Sequence, residues 1–146
     1  MFSKSCENAI RAIIYIAAES GKNRKVGIAE ICINIEAPQH YTAKILQTLS
    51  RNKLVSSQKG LGGGFYLDKE QLKIPLITVV MAMDGPSLFS GCGLGLKHCN
   101  EASPCPIHDK FKSIRSDLRK MTEETTIEEL GTSLKDGNSV LRSSEE

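Results

Sequence analysis

At 146 residues and 16.0 kDa the chain has the length of one domain with a short appendage, which excludes a large multidomain enzyme. Hydrophobic residues make up 40% and charged residues 25%, with no Trp and only 5% aromatics, as in a globular, helix-rich protein. The net charge of +2 hides an asymmetry: residues 1–75 hold 11 Lys/Arg against 6 Asp/Glu, residues 106–146 hold 7 against 9, so the front suits a polyanion and the back does not. No stretch approaches the roughly 20 apolar residues of a membrane span. The first segment is broken by Lys4, Glu7, Asn8 and Arg11, so no signal peptide is read and a cytoplasmic location without membrane contact is expected.

Along the chain, Cys6, Ile10, Ile13, Ile14 and Ala17 recur at spacings of three and four, which predicts a helix ending at Gly21. Ile28, Ile31, Cys32 and Ile35 repeat the pattern over Val26 to Asn34. After a break at Glu36 and Ala37, Pro38 suits a first helical position, and the next helix turns Tyr41, Ile45, Leu46 and Leu49 inward. Two helices joined by a tight turn result. Beyond Asn52, LVSSQ and FYL are strand-like runs separated by KGLGGG, whose glycines permit a sharp reversal, so a hairpin is expected.

Residues 75–84, PLITVVMAMD, predict a short apolar helix stopped by Gly85 and Pro86, followed by a glycine- and cysteine-rich loop from Ser87 to Pro106. Ile107, Phe111, Ile114, Leu118 and Met121 then form an a/d seam along about four turns, the pattern of a dimerisation helix or of one packed on its own domain. Thr125 or Thr126 can cap a last helix containing Ile127, Leu130 and Leu134, and the polar residues 136–146 are expected to be disordered.

A helix, a helix-turn-helix and a basic glycine-tipped hairpin, in that order, make a winged helix-turn-helix. The fold class is therefore mostly α with a small β-hairpin wing: a DNA-binding domain over 1–86, a cysteine-rich cofactor loop over 87–106, and a dimerisation helix with a short C-terminal helix over 107–135. In such a module the second helix of the pair enters the major groove, where outward Gln39, His40, Lys44 and Gln47 meet base edges and phosphates, with Ala43 offering a methyl group and wing Lys59 reaching a phosphate or the minor groove. Solvated surface is the alternative for each of these side chains.

Five cysteines is an odd number, and three of them, Cys92, Cys99 and Cys105, fall in one loop, so metal binding or thiol chemistry is expected rather than a disulfide scaffold. With His108 they make four donors, and thiolates are soft ligands suited to an iron-sulfur cluster or to zinc; unligated thiols are the remaining option. Cys6 and Cys32 lie on inward helix faces and read as core, and His98 as a solvated loop residue. A small thiol or redox enzyme is the rival class. Against it, there is no Cys-x-x-Cys pair, and GLGGGF lacks the Lys and Ser/Thr of a phosphate loop. No catalytic residue and no small-molecule substrate are expected.

SKSCENAIRAIIYIA, APQHYTAKILQTLSRNKLVSSQKGLGGGFYL, LITVVMAMDGP and the three-cysteine loop together resemble the Rrf2 family of bacterial transcriptional regulators, which includes repressors, over about residues 1–134. The resemblance implies a homodimer joined through the long helix and bound to a roughly two-fold symmetric DNA operator. It further implies an iron-sulfur cluster on Cys92, Cys99 and Cys105, with His108 as fourth ligand of a 2Fe-2S centre, the reading preferred here. Some relatives instead use an acidic residue from the partner's first helix, a position matched by Glu7, which would go with a 4Fe-4S centre. One extra residue between Cys92 and Cys99 departs from the common spacing. Structural zinc, or no metal with sensing through thiols or a protein partner, is the alternative.

Overall fold

The structure, a computed structural model, describes residues 1–143. Helix α1 (Lys4–Ser20) starts where the Ser3 hydroxyl accepts from the Cys6 amide at 3.0 Å, and it ends at Gly21. It is buried over more of its circumference than one face, because Ala9, Ala12, Ile13 and Ile16 are fully enclosed by helices on several sides. Small side chains let those neighbours approach.

Helix α2 (Ile28–Ile35) buries Ile31 and Ile35, and Glu36 in the left-handed region (φ 55°) ends it. Helix α3 (Gln39–Arg51) follows at once, with Pro38 as its cap rather than its first residue. Thr42, Ile45, Leu46 and Leu49 face the core, whereas Tyr41 stays half-buried and shares a hydrogen bond of 2.9 Å with Ser5. Thr42 can take the inward place because its hydroxyl donates to the Pro38 carbonyl at 2.9 Å, leaving only its methyl to be packed.

Strands β1 (Ser56–Gln58) and β2 (Gly64–Tyr66) pair antiparallel with Ser57 opposite Phe65, as the hairpin predicts. Phe65 also exchanges both backbone hydrogen bonds with Val26, at 3.0 and 2.7 Å, which ties the wing to the link between α1 and α2. Gly64 makes this possible: its φ is 137°, and a Cβ there would lie 2.8 Å from the Val26 carbonyl oxygen.

Helix α4 (Lys69–Leu72) is a single turn that the periodicity did not anticipate, held by a capping box between Asp68 and Gln71. Helix α5 (Leu76–Asp84) stops at Gly85, but the segment from Ser87 is not all loop: α6 (Ser87–Ser90) forms one turn that buries Phe89 against Cys6 and Val80. The gain is a second apolar cluster beside the main core.

Helix α7 (His108–Glu124) is followed by α8 (Ile127–Lys135), capped by Thr126. A short antiparallel bridge joins their turn to the start of α5, through Leu76 N to Thr125 O at 2.8 Å and Ile127 N to Ile74 O at 3.0 Å. Helix α8 packs on α1 so closely that a Cβ on Gly131 would lie 2.8 Å from that of Ala17. Residues 136–143 continue from α8, and Leu141 packs against the main core, in contrast to the disorder expected over 136–146; positions 144–146 lie outside the described residues. Among the described residues no helix is long and apolar enough to cross a membrane.

Candidate nucleic-acid interface and thiol loop

Helix α3 carries no carboxylate, and its outward Gln39, His40, Lys44 and Gln47 are all exposed, as is Lys59 on the wing. Ala43 is half-buried and lines a groove of about 620 Å³ between α2, α3 and the wing strands. Its wall is apolar at Ile28, Leu46 and Phe65, and its rim is polar at Gln47, Arg51 and Ser57. Helix α3 and the wing strands thus border one surface. Sequence reasoning missed Arg51 and Ser57; the four-residue step from Gln47 to Arg51 along the outward face was the available signal.

Lys44, Arg51, Lys53 and Lys59 are in no ion pair among the described residues. Their charge is available to a polyanion.

The thiol loop runs from Gly91 to Ile107 between α6 and α7, and the structure brings its donors together as two pairs. Cys92 Sγ lies 3.8 Å from Cys105 Sγ, and Cys99 Sγ lies 3.4 Å from His108 Nδ1. The Leu94 amide donates to Cys92 Sγ at 3.4 Å. Backbone donors at Leu94 and Leu96 lead in holding the Cys92 thiol below its ordinary pKa, helped by the Cys105 thiol and opposed by partial burial.

Arg115, buried on α7, fastens the loop: its guanidinium donates to the Gly91 carbonyl and, at 3.4 Å, to Cys99 Sγ, and it lies 5.6 Å from the centre of the Phe111 ring. Phe111 in turn fills the space that a side chain on Gly93 would need, 2.9 Å from the ring. His108 is buried, and among the described residues its Nε2 has no partner.

Glu7 is exposed on α1 and paired with Lys4 at 3.6 Å, Cys32 is half-buried and His98 is exposed. Cys6 is fully buried, and burial, with the nearby Asp84 carboxylate, pushes its thiol up to about 12. It is core, as its helical position predicts. Among the described residues no three His, Cys, Asp or Glu side chains converge on one point suited to a metal ion. The donor set nevertheless fits an iron-sulfur cluster or zinc in kind: three thiols and an imidazole on one glycine-rich loop, a guanidinium beside them to offset thiolate charge, and an imidazole nitrogen buried without a partner.

Helix α7 turns His108, Arg115 and Thr122 inward, at intervals of seven. The seam is therefore split: Phe111 packs under Gly93 and Leu118 against the cluster of Cys6, Val80 and Phe89, while Ile107, Ile114 and Met121 are left 37%, 59% and 45% exposed. An apolar stripe at that spacing is the face a second helix packs against.

The family model described as Rrf2, iron-dependent transcriptional regulator, matches residues 2–133. The chain is 30% identical over 132 residues to a protein of Aquifex aeolicus (strain VF5) named as an HTH-type transcriptional regulator, covering 89% of this chain and 90% of that one. It is 26% identical to the HTH-type transcriptional regulator IscR of Sodalis glossinidius (strain morsitans), covering 84% of this chain and 73% of the relative. Its fold matches that of CymR, the global cysteine regulator of B. subtilis, with a TM-score of 0.74 at 20% identity over 90% of this chain and 96% of that one.

Proposed function

Since the chain belongs to the Rrf2 family of transcriptional regulators, we propose that it acts as a homodimer whose affinity for a DNA operator follows the state of an iron-sulfur cluster held by Cys92, Cys99, Cys105 and His108. Transcriptional regulators are not enzymes, and no chemistry on a substrate is required of the chain. Gln39, His40, Ala43, Lys44 and Gln47 are assigned to the major groove and Lys59 to the wing contact.

The observation that carries the sensing half is that one helix holds both ends of the device. His108 and Arg115 reach Cys99 from the inner face of α7, while Ile107, Ile114 and Met121 line its outer face. A change in how the loop is held alters the packing of those inner residues, and therefore the angle at which two α7 helices pair and the separation of the two α3 helices. When bound, the cluster supplies a one-electron couple and a target for oxygen or nitric oxide; 2Fe-2S suits His108 as fourth ligand, and 4Fe-4S the partner's Glu7 position.

Iron, acid-labile sulfide and zinc per chain, measured on protein purified without oxygen, test the reading. Iron with near-equal sulfide, lost in Cys92→Ala, Cys99→Ala and Cys105→Ala together with a shift in DNA affinity, is the expected result. Zinc alone makes the loop a structural site, and unchanged DNA affinity in all three variants ends the sensing role.

A second reading, sensing through thiols, is favoured by the 3.8 Å between Cys92 and Cys105. The Cys92 thiolate splits hydrogen peroxide, keeping one oxygen as a sulfenic acid and releasing the other as water. The Cys105 thiol then displaces that oxygen as a second water and leaves a disulfide. A metal-free chain that loses two hydrogens in mass on peroxide treatment, and regains them with dithiothreitol, would select this reading.

A further inference from the structure

The tip of the wing carries one apolar side chain with nothing beneath it. Leu61 is 107% exposed, more than a leucine in an extended chain. Gly60 (φ 92°) and Gly62 (φ 77°) flank it and Gly63 and Gly64 follow, so between Lys59 and Phe65 no other side chain projects.

The tip is also fixed. The Gly63 amide donates to the Gly60 carbonyl at 3.0 Å, a Cβ on Gly63 would collide with the Gln58 carbonyl, and the wing's base is locked by the paired hydrogen bonds of Phe65 and Val26. Leu61 is thus presented on a narrow, stiff and side-chain-free support. Its sequence neighbour Lys59 is in no ion pair among the described residues. Recognition helix and wing strands border the same groove, so with α3 in a major groove the tip meets the adjoining minor groove.

That groove is only about 6 Å wide, which a row of branched side chains would not enter but a run of glycines bearing one leucine would. Apolar side chains delivered there part a base step and bend the duplex, most readily at flexible pyrimidine-purine steps. We propose that Leu61 is a minor-groove wedge, through which the wing bends its DNA and selects a deformable base step at a position where the chain reads no base edge. The proposal rests on the DNA-binding reading above.

The probe is a duplex selected by the wild-type chain from a randomised pool and labelled at both ends, so that anisotropy reports affinity and energy transfer reports bending. Leu61→Ala is expected to bind about tenfold more weakly and to leave the duplex straighter, with the salt dependence of binding unchanged because no phosphate contact is lost. Leu61→Met, which keeps the apolar bulk, restores both affinity and bend. Replacing the flexible step at the wing position by an A-tract should weaken the wild type and not Leu61→Ala. Equal affinity and bend for wild type and Leu61→Ala overturns the wedge while leaving DNA binding intact; a wild-type chain that selects no duplex overturns the DNA-binding reading and the wedge with it.

Discussion

Two glycine-rich connectors dominate the functional surface, and they are held in opposite ways. In the wing, backbone bonds lead, through the β1–β2 ladder, the Phe65–Val26 pair and the Gly63–Gly60 turn, while side chains tie only its base, Ser56 to Gln71 and Ser20 to the Leu67 amide. In the thiol loop, isolated backbone turns at Cys92–Gly95 and Cys105–His108 are fastened to the rest of the chain by side chains, through Arg115 on Gly91 and Cys99, His108 on Cys99, and Phe111 under Gly93. A connector built the first way keeps its shape whatever binds nearby, which suits a probe of DNA shape. One built the second way depends on a few groups that are themselves candidate ligands or neighbours of them, so ligation or oxidation can remodel it.

The sharpest way to break the comparison is Gly64→Val. The substitution combines a forbidden φ with contact against the Val26 backbone, should cost about 3 kcal/mol or more of stability, and should lower DNA affinity well beyond tenfold as the wing is displaced. Thermal melting and binding to a selected duplex check it. Next in size is Arg115→Ala, which leaves the Gly91 carbonyl and Cys99 without their charged donor. A loss of about 2 kcal/mol is expected, with new protease cleavage confined to residues 91–107; cleavage equally in the wing would refute the contrast.

The cysteines sharpen it chemically. Cys92, with its thiol held down by backbone donors, should react with iodoacetamide near neutral pH, while Cys6 should not react until the chain unfolds. The Cys6 pKa is raised from 9.0 to about 12, so below pH 9 both folded and unfolded chains keep the proton and stability is unaffected. Between pH 9 and 12 only the unfolded chain loses it, and stability should fall with rising pH, a fall that Cys6→Ala makes shallower, with the Tyr15 phenol, also raised to about 12, adding to it above pH 10. Urea melts at pH 8, 9, 10 and 11 measure this. The smallest expected effect is Lys59→Ala, which should lower the slope of log affinity against log salt by about one while leaving the fold unchanged.

The helices and the wing were legible because each is written in local terms. Spacings of three and four place Ile13, Ile31 and Leu49 on inward faces, and consecutive glycines mark the reversal between Gln58 and Phe65. Single-turn α4 and α6 escaped periodicity because four residues are too few to show a period, although the Asp68–Gln71 capping box was readable. The candidate ligands Cys92, Cys99, Cys105 and His108 were legible as a donor set. Their grouping into two pairs, and the attachment of one pair to Arg115, were not, since Arg115 lies 16 residues from Cys99 in the chain.

What the sequence determined by itself is whatever depends on neighbours within a turn or a hairpin: the helix faces, their caps, the glycine tip and the identity of the donors. Tertiary structure alone decided which side of α7 turns inward. His108, Arg115 and Thr122 repeat as regularly as Ile107, Ile114 and Met121, and hydrophobicity would bury the second set. The polar set is buried with a partner for at least one atom of each member, Cys99 for His108 and Arg115, and the Leu118 and Arg119 carbonyls for the Thr122 hydroxyl, although His108 Nε2 and Arg115 Nε have none among the described residues. The apolar set is left outside within a single chain, where only a second surface can cover it.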